Sequence, residues 1–238
     1  MKKSLAILLA ALMLLGATAC DGGENVRGTI TGGDSSVPVS DDSSAPISDE
    51  DSSTPEAGEK FQFGSTVGGK YENTYIGIGC ELDSQWTYKS DAEILAQNNL
   101  TMEYMDESTA DLLENAQLIY DMMAIHSNGV NNVLVNLEKV TPLQLVATDL
   151  NTMLEQSVPS VESAMTNMGY TNFTWEVSDV TIDGKTFPAL KIRSEINGVV
   201  AYQTNVSIKC AQHIASLTVT CFAENDTQTI LDSFYLLD

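Results

Sequence analysis

The stretch from Thr171 to Phe222, TNFTWEVSDVTIDGKTFPALKIRSEINGVVAYQTNVSIKCAQHIASLTVTCF, decides the fold. Phe173, Trp175 and Val177 alternate with polar residues, the two-residue period of a strand that buries one face. Asp183-Gly184 and Asn197-Gly198 punctuate the run with residue pairs that tolerate the positive φ a tight hairpin needs. Leu190 and Ile192 mark the second strand, and Val199 to Ile208 the third. Cys210 to His213 turns the chain, and Ala215, Leu217, Val219 and Cys221 line one face of the fourth. The stretch therefore predicts a four-strand antiparallel meander. Pro188 has no N–H to give a ladder, so its strand is expected at an edge or with a bulge.

Working back from the meander, Thr141 caps a helical pattern with Pro142 in its first turn. Its apolar positions are Leu143, Val146, Leu150, Leu154, Val158, Val161, Met165 and Met168, which keep three-and-four spacing across Pro159. That phase predicts one kinked helix or two collinear ones, all with the same inner face, closed by Gly169. Gln117 to His126 and the alternating Val133, Val135 and Leu137 flank Ser127-Asn128-Gly129, a hairpin signal in which both central residues take positive φ. Ser90-Asp91-Ala92-Glu93 is a capping box opening a short helix to about Asn98. A second short helix is expected over Glu107 to Asn115. Tyr75 to Leu82 reads as a strand with Ile76, Ile78, Cys80 and Leu82 on one face. Gly77 and Gly79 then mark a close approach to that strand, since no helix follows to complete a phosphate loop. Asp83-Ser84 turns into a strand carrying Trp86 and Tyr88. At the far end, Asn225 or Asp226 caps a terminal helix whose Ile230, Phe234 and Leu237 share a stripe.

This order of elements defines an α+β fold, an antiparallel β-sheet packed by helices. Together with the opening Asn73-Thr74-Tyr75-Ile76-Gly77 that leads to Trp86, it resembles the PsbP-type fold over about residues 71–238. The resemblance implies an α-β-α sandwich. It implies no active site and no photosystem binding, because that fold hosts unrelated functions.

Upstream the composition changes twice. Residues 21–59 combine Gly22-Gly23, Gly32-Gly33, paired serines, Pro38, Pro46, Pro55 and the acidic run Asp49-Glu50-Asp51, with no aromatic residue. Such a segment cannot bury enough apolar surface to offset its ordering entropy, so a disordered linker is expected. As flexible coil it spans about 35 Å. Residues 1–20 begin with Lys2 and Lys3, continue through the apolar run Leu5 to Leu15, and end Gly16-Ala17-Thr18-Ala19-Cys20. This resembles a bacterial lipoprotein signal peptide, with Ala17 where Leu is commoner. The resemblance implies cleavage before Cys20, lipid on the Cys20 thiol, and residence on the extracytoplasmic face of the cell membrane. The remaining residues, 60–238, form a single globular domain.

The formal charge of −22, from 11 basic against 33 acidic residues, is the wrong sign for nucleic acid and for adhesion to anionic headgroups. Membrane attachment is therefore assigned to lipid on Cys20. Cys80, Cys210 and Cys221 remain. Cys80 and Cys221 fall on core faces, as buried small hydrophobes or as a cross-strand pair. His126 and His213 each flank a turn, as surface or turn residues, and two histidines do not complete a zinc site. Cys210 and His213 suggest a nucleophile–base pair, but neighbours three apart round a tight turn align poorly for that task. Met122, Met123, Met165 and Met168 read as core filler. No metal and no cofactor is called for. Trp86, Tyr88 and Trp175 are the side chains expected to rim a ligand cleft, if there is one. The sequence thus points to a non-catalytic, lipid-anchored binding or envelope-accessory domain that meets an envelope protein or a small ligand. The alternative is an envelope hydrolase whose carboxylates or Cys210 are assembled only by the fold.

Overall fold

Short polar turns place the strands. The computed structural model describes residues 61–98 and 116–237. The expected leader through Cys20, the expected linker over residues 21–59 and the expected helix over Glu107 to Asn115 lie outside them. The first half of the chain holds β1 (Ser65–Val67), β2 (Lys70–Asn73), β3 (Ile78–Glu81), β4 (Trp86–Tyr88), α1 (Asp91–Gln97), β5 (Leu118–His126) and β6 (Asn132–Lys139). The second half holds α2 (Pro142–Ala147), α3 (Leu150–Asn167), β7 (Thr171–Ile182), β8 (Lys185–Ile196), β9 (Val199–Cys210), β10 (His213–Phe222), α4 (Thr227–Leu231) and β11 (Phe234–Leu236). The fold is α+β. A seven-stranded antiparallel sheet runs β4-β5-β6-β10-β9-β8-β7, and a four-stranded one runs β1-β2-β3-β11.

β7 to β10 form the expected meander. Asp183 and Gly184 have φ of 48° and 80°, and Asn197 and Gly198 have 52° and 79°, the left-handed pairs that two-residue hairpins require. The β5–β6 connection differs from expectation. It runs from Ser127 to Asn131, and there only Gly129 is left-handed, at φ 75°. Asn128 works through its side chain instead, whose Oδ1 accepts from the N–H groups of Val130 and Asn131 at 3.0 Å each. Pro188 also departs from the simple edge reading, because β8 lies between β7 and β9. The β8–β9 ladder begins only at Ala189↔Val206, so Pro188, opposite Asp179 of β7, sits where β8 has a partner on one side. The missing N–H costs no bond to β9.

The helical stretch breaks at Thr148–Asp149 rather than at Pro159. Thr148 donates its hydroxyl to the Gln144 carbonyl at 2.6 Å, and Asp149 caps α3 by accepting from the Thr152 N–H at 2.8 Å. α3 continues through Pro159, where the flanking buried Val158 and Val161 offset the lost backbone bond. Because the break is extended backbone, α2 does not inherit the phase of α3. Leu143 and Val146, expected on the inner face, are 80% and 84% exposed. Gly169, at φ 91°, closes α3 as expected.

Two further expectations are corrected at the chain's ends. The strand expected over Tyr75 to Leu82 is β3 and begins only at Ile78, because Tyr75 to Gly77 is a turn with Gly77 at φ 77°. The terminal helix stops at Leu231, and Phe234 to Leu236 pairs with β3 through Phe234↔Cys80 and Leu236↔Ile78. A β-forming Phe-Tyr-Leu run beside an unpaired edge gains ladder bonds that a lone helical turn would not. Gly79 is the position that needs glycine for room: a Cβ there would stand 2.4 Å from the Tyr235 ring.

Two apolar layers result. Between the sheets, Tyr71, Ile78, Cys80 and Phe234 meet Val135, Leu217 and Cys221. On the other face of the large sheet, Met153, Leu154, Val158, Val161 and Met165 of α3 meet Leu134, Leu190 and Ile214.

Candidate functional site

A β-bulge aims the central carboxylate. The β5–β6 register shifts between Tyr120 and Met122, so Asp121 and Met122 both turn toward the side that faces the small sheet. Asp121 is 5% exposed and accepts three hydrogen bonds. The Tyr71 hydroxyl donates a short one, Asn73 Nδ2 donates at 2.7 Å and the Gly64 N–H at 2.9 Å. Burial pushes the Asp121 carboxyl above the ordinary carboxylate value, against the lowering effect of those three donors. Burial first, and the neighbouring carboxylate second, hold the Tyr71 hydroxyl well above its usual pKa, so it stays a donor. Gly64 is required by contact: a Cβ there would lie 2.2 Å from Tyr71 Cε2 and 2.9 Å from Asp121 Oδ2.

Beside this cluster lies a cavity of about 420 Å³ between the stretch 61–67, α1 and β5. Phe61, Phe63, Ile94, Leu95 and Met122 supply apolar lining, Asp121 the buried polar group, and Lys89 and Asp91 charges. Aromatic contacts stiffen one wall. Phe61 meets Phe63 edge-on at 5.2 Å and Tyr75 at 5.5 Å. Tyr75 in turn meets His213, whose Nδ1 lies 2.7 Å from the Tyr75 hydroxyl. A cavity with apolar side chains and one displaced titratable group has the chemistry to accept an amphipathic molecule, its apolar part on the phenylalanines and a hydrogen-bonding part at the polar end.

The sequence-derived candidates fall elsewhere. Trp86 and Tyr88 share β4, one edge of the large sheet, and pack on the core between the sheets. The Tyr88 hydroxyl ties β4 to β3 by donating to the Cys80 carbonyl at 3.3 Å. Trp86 rests edge-on against His126 at 5.1 Å. Trp175 is on β7, the opposite edge, 48% exposed. The three are not brought together. His213, expected at a surface turn, is 3% exposed because Phe61 and Tyr75 close over that turn. Burial, with a smaller push from Lys139, lowers its pKa to about 4. Cys210 does not face its imidazole; the thiol reaches the His213 carbonyl at 3.7 Å. Cys80, Cys210 and Cys221 are all free and buried, and burial pushes their thiols up to about 12, 12 and 11. Met122, Met123 and Met165 are core residues as expected. Among the described residues no group of three His, Cys, Asp or Glu side chains is placed to hold a metal ion.

No protein-family model matches the chain, and no curated protein matches it. Among solved structures it is similar to LpqN, involved in cell envelope biogenesis of Mycobacterium tuberculosis, at 12% identity and a TM-score of 0.37. That match covers 68% of this chain and 83% of LpqN.

Sequence reasoning missed Asp121 for a physical reason. An aspartate inside an apolar run is the available signal, but the bulge that aims it and the Gly64, Tyr71 and Asn73 donors are set by pairing over long sequence separations.

Proposed function

We propose that this chain is an extracytoplasmic binding domain, carried on an acidic linker over residues 21–59 and held to the membrane by lipid on Cys20, which takes a small amphipathic ligand in the cavity beside Asp121. The observation that carries the reading is that cavity: Phe61, Phe63, Ile94, Leu95 and Met122 lie along it beside one buried carboxylate of raised pKa. The leader sequence supports the anchor. Among the described residues no helix is long and apolar enough to cross a membrane. A hydrolase built on Cys210 is the weaker reading, since a buried thiol with a pKa near 12 supplies little thiolate and has no imidazole partner.

Two experiments test the two halves. Cells fed an alkyne-tagged fatty acid should yield labelled mature chain, beginning at Cys20, in the membrane fraction, and Cys20→Ala should abolish both label and membrane retention. An unlabelled, cytosolic native chain refutes the anchor. For the cavity, the fluorescent apolar amine N-phenyl-1-naphthylamine should bind saturably, with affinity reduced roughly tenfold by Leu95→Gln, a loss of one well-placed apolar contact. Equal binding by native chain and variant refutes the cavity.

A further inference from the structure

The large sheet changes character along its length on the side that faces the small sheet. By register, Val180 and Ile182 of β7, Ala189 of β8 and Val206 of β9 share that side, and all four are buried in the core between the sheets. Further along the same strands that side turns polar. Glu176, Lys191 and Thr204 form one cross-strand row, and Thr174, Arg193 and Tyr202 the next. The stretch 225–228 stands beside these rows, and the space between is a cavity of about 470 Å³. Trp175 borders it too, but its own row, with Ile192, turns toward α3. Thr174, Glu176, Asn225 and Gln228 are exposed, so the cavity opens to solvent, while Thr204 at its base is buried. Its size is ordinary for a small-molecule site.

The charges here run against those of the chain. Lys and Arg number 11 against 33 Asp and Glu, yet two of the 11 stand two positions apart on one side of β8. Strand rise sets their Cα atoms about 6.6 Å apart, close enough for two long side chains to reach one anionic group. Among the described residues no carboxylate lies within ion-pair distance of Lys191, not even Glu176 directly across the ladder. Arg193 gives Nη2 to Glu195 Oε1 at 3.2 Å, one of five N–H donors. Glu195 is held in turn by Asn172 Nδ2 at 2.8 Å, so the contact steadies the guanidinium at the rim.

We propose that this cavity is a second binding site, distinct from the one beside Asp121, for a small hydroxylated monocarboxylate of the sugar-acid class. Its carboxylate lies on Lys191 and Arg193, and its hydroxyls meet Thr174, Thr204 and Gln228. The class follows from the atoms. A guanidinium fork beside an ammonium selects a carboxylate. With Glu176 the lining carries two cations and one carboxylate, a single net positive charge, and a chain of charge −22 repels a dianion further. Hydroxyls donate and accept at one atom, which suits a lining of hydroxyls, amides and the Glu176 carboxylate. Tyr202 adds an aromatic surface for the apolar face of a sugar ring. An acid with an apolar body finds its match instead on the phenylalanines of the Asp121 cavity.

The test is a ¹H–¹⁵N titration of the full chain with sodium glucuronate, glucose and sodium sulfate, each separately, following the backbone amides of β8 and of Gln228. Glucuronate should saturate with a dissociation constant on the order of 0.1–1 mM, and glucose and sulfate should each bind at least tenfold more weakly. Lys191→Gln and Arg193→Gln should each weaken glucuronate roughly tenfold, whereas Leu95→Gln in the Asp121 cavity should leave it unchanged. Gln228→Ala, on the exposed wall, should weaken it roughly threefold and decides the matter where a β8 variant does not fold. No saturation by glucuronate up to about 20 mM overturns the site. So does equal affinity for glucose or for sulfate, and so does native affinity in the folded charge variants or in Gln228→Ala. A loss of binding in Leu95→Gln would move the molecule to the Asp121 cavity, which overturns it as well.

Discussion

Replacing Glu138 by glutamine gives the sharpest energetic test of this structure. The Glu138 side chain is 4% exposed on the α3 face of β6, between Leu118 and Ile214 in the cross-strand row. Burial alone raises its carboxyl from 4.5 to about 7. The folded protein therefore favours the neutral acid. Stability from this group is fully present below the unfolded value of 4.5 and is lost as pH rises through the folded value near 7. The difference of about 2.5 in pKa corresponds to a loss of about 3 kcal/mol across that window. Glutamine keeps the shape and stays neutral. Urea unfolding should show Glu138→Gln a few tenths of a kcal/mol more stable than the native chain near pH 4.5 and about 3 kcal/mol more stable near pH 8. In thermal melts at the higher pH that is a gain of about 6–12 °C for a domain of this size. His213 titrates with the opposite sign, since its pKa is lowered to about 4 from 6.5 and its contribution is lost as pH falls through that interval. It is identical in both proteins and cancels in their difference. A pH-independent gap between them, or a less stable variant near pH 8, refutes the buried carboxylate with no partner among the described residues.

Other expectations follow from single contacts. Gly79→Ala should cost about 1–3 kcal/mol by driving a Cβ into the Tyr235 ring, and Tyr235→Ala in the same chain should recover most of it; additive losses in the double variant contradict the contact. The imidazole resonances of His213 should keep neutral shifts down to pH 5, and a midpoint near 6.5 would show that Phe61 and Tyr75 do not cover the ring. Leu143→Ser and Val146→Ser should each change stability by no more than about 0.5 kcal/mol, whereas Val161→Ala should cost about 1–3 kcal/mol; a large loss at either α2 position would place that helix against the core.

Local chemistry was legible where the determinant spans a few residues. Asp183-Gly184 and Asn197-Gly198 specify their own φ values, and Ser90 to Glu93 specifies its own cap, so these features stand in the structure as the sequence predicts them. The long helix was read one feature out of place. Pro159 is the obvious breaker, yet Thr148 and Asp149 satisfy backbone groups well enough to end α2 earlier, and packing carries α3 past the proline. The aromatic trio shows the limit of residue type as a guide. Trp86 and Tyr88 fill core beside β3, while Trp175 lies on the far edge strand, a separation fixed by sheet order alone.

By itself the amino-acid sequence determined the acidic composition of residues 21–59, the α+β class and the meander, because each is written in composition, period two or a dipeptide's φ preference. Tertiary structure alone decided which polar side chains are buried and what they meet. Asp121 faces Gly64, Tyr71 and Asn73 through a bulge and a second sheet, and Asn136 lies in a row with Ser216 and Ser207 through register. Both arrangements depend on pairing between segments remote in sequence, whose closure entropy and burial energy no local pattern encodes.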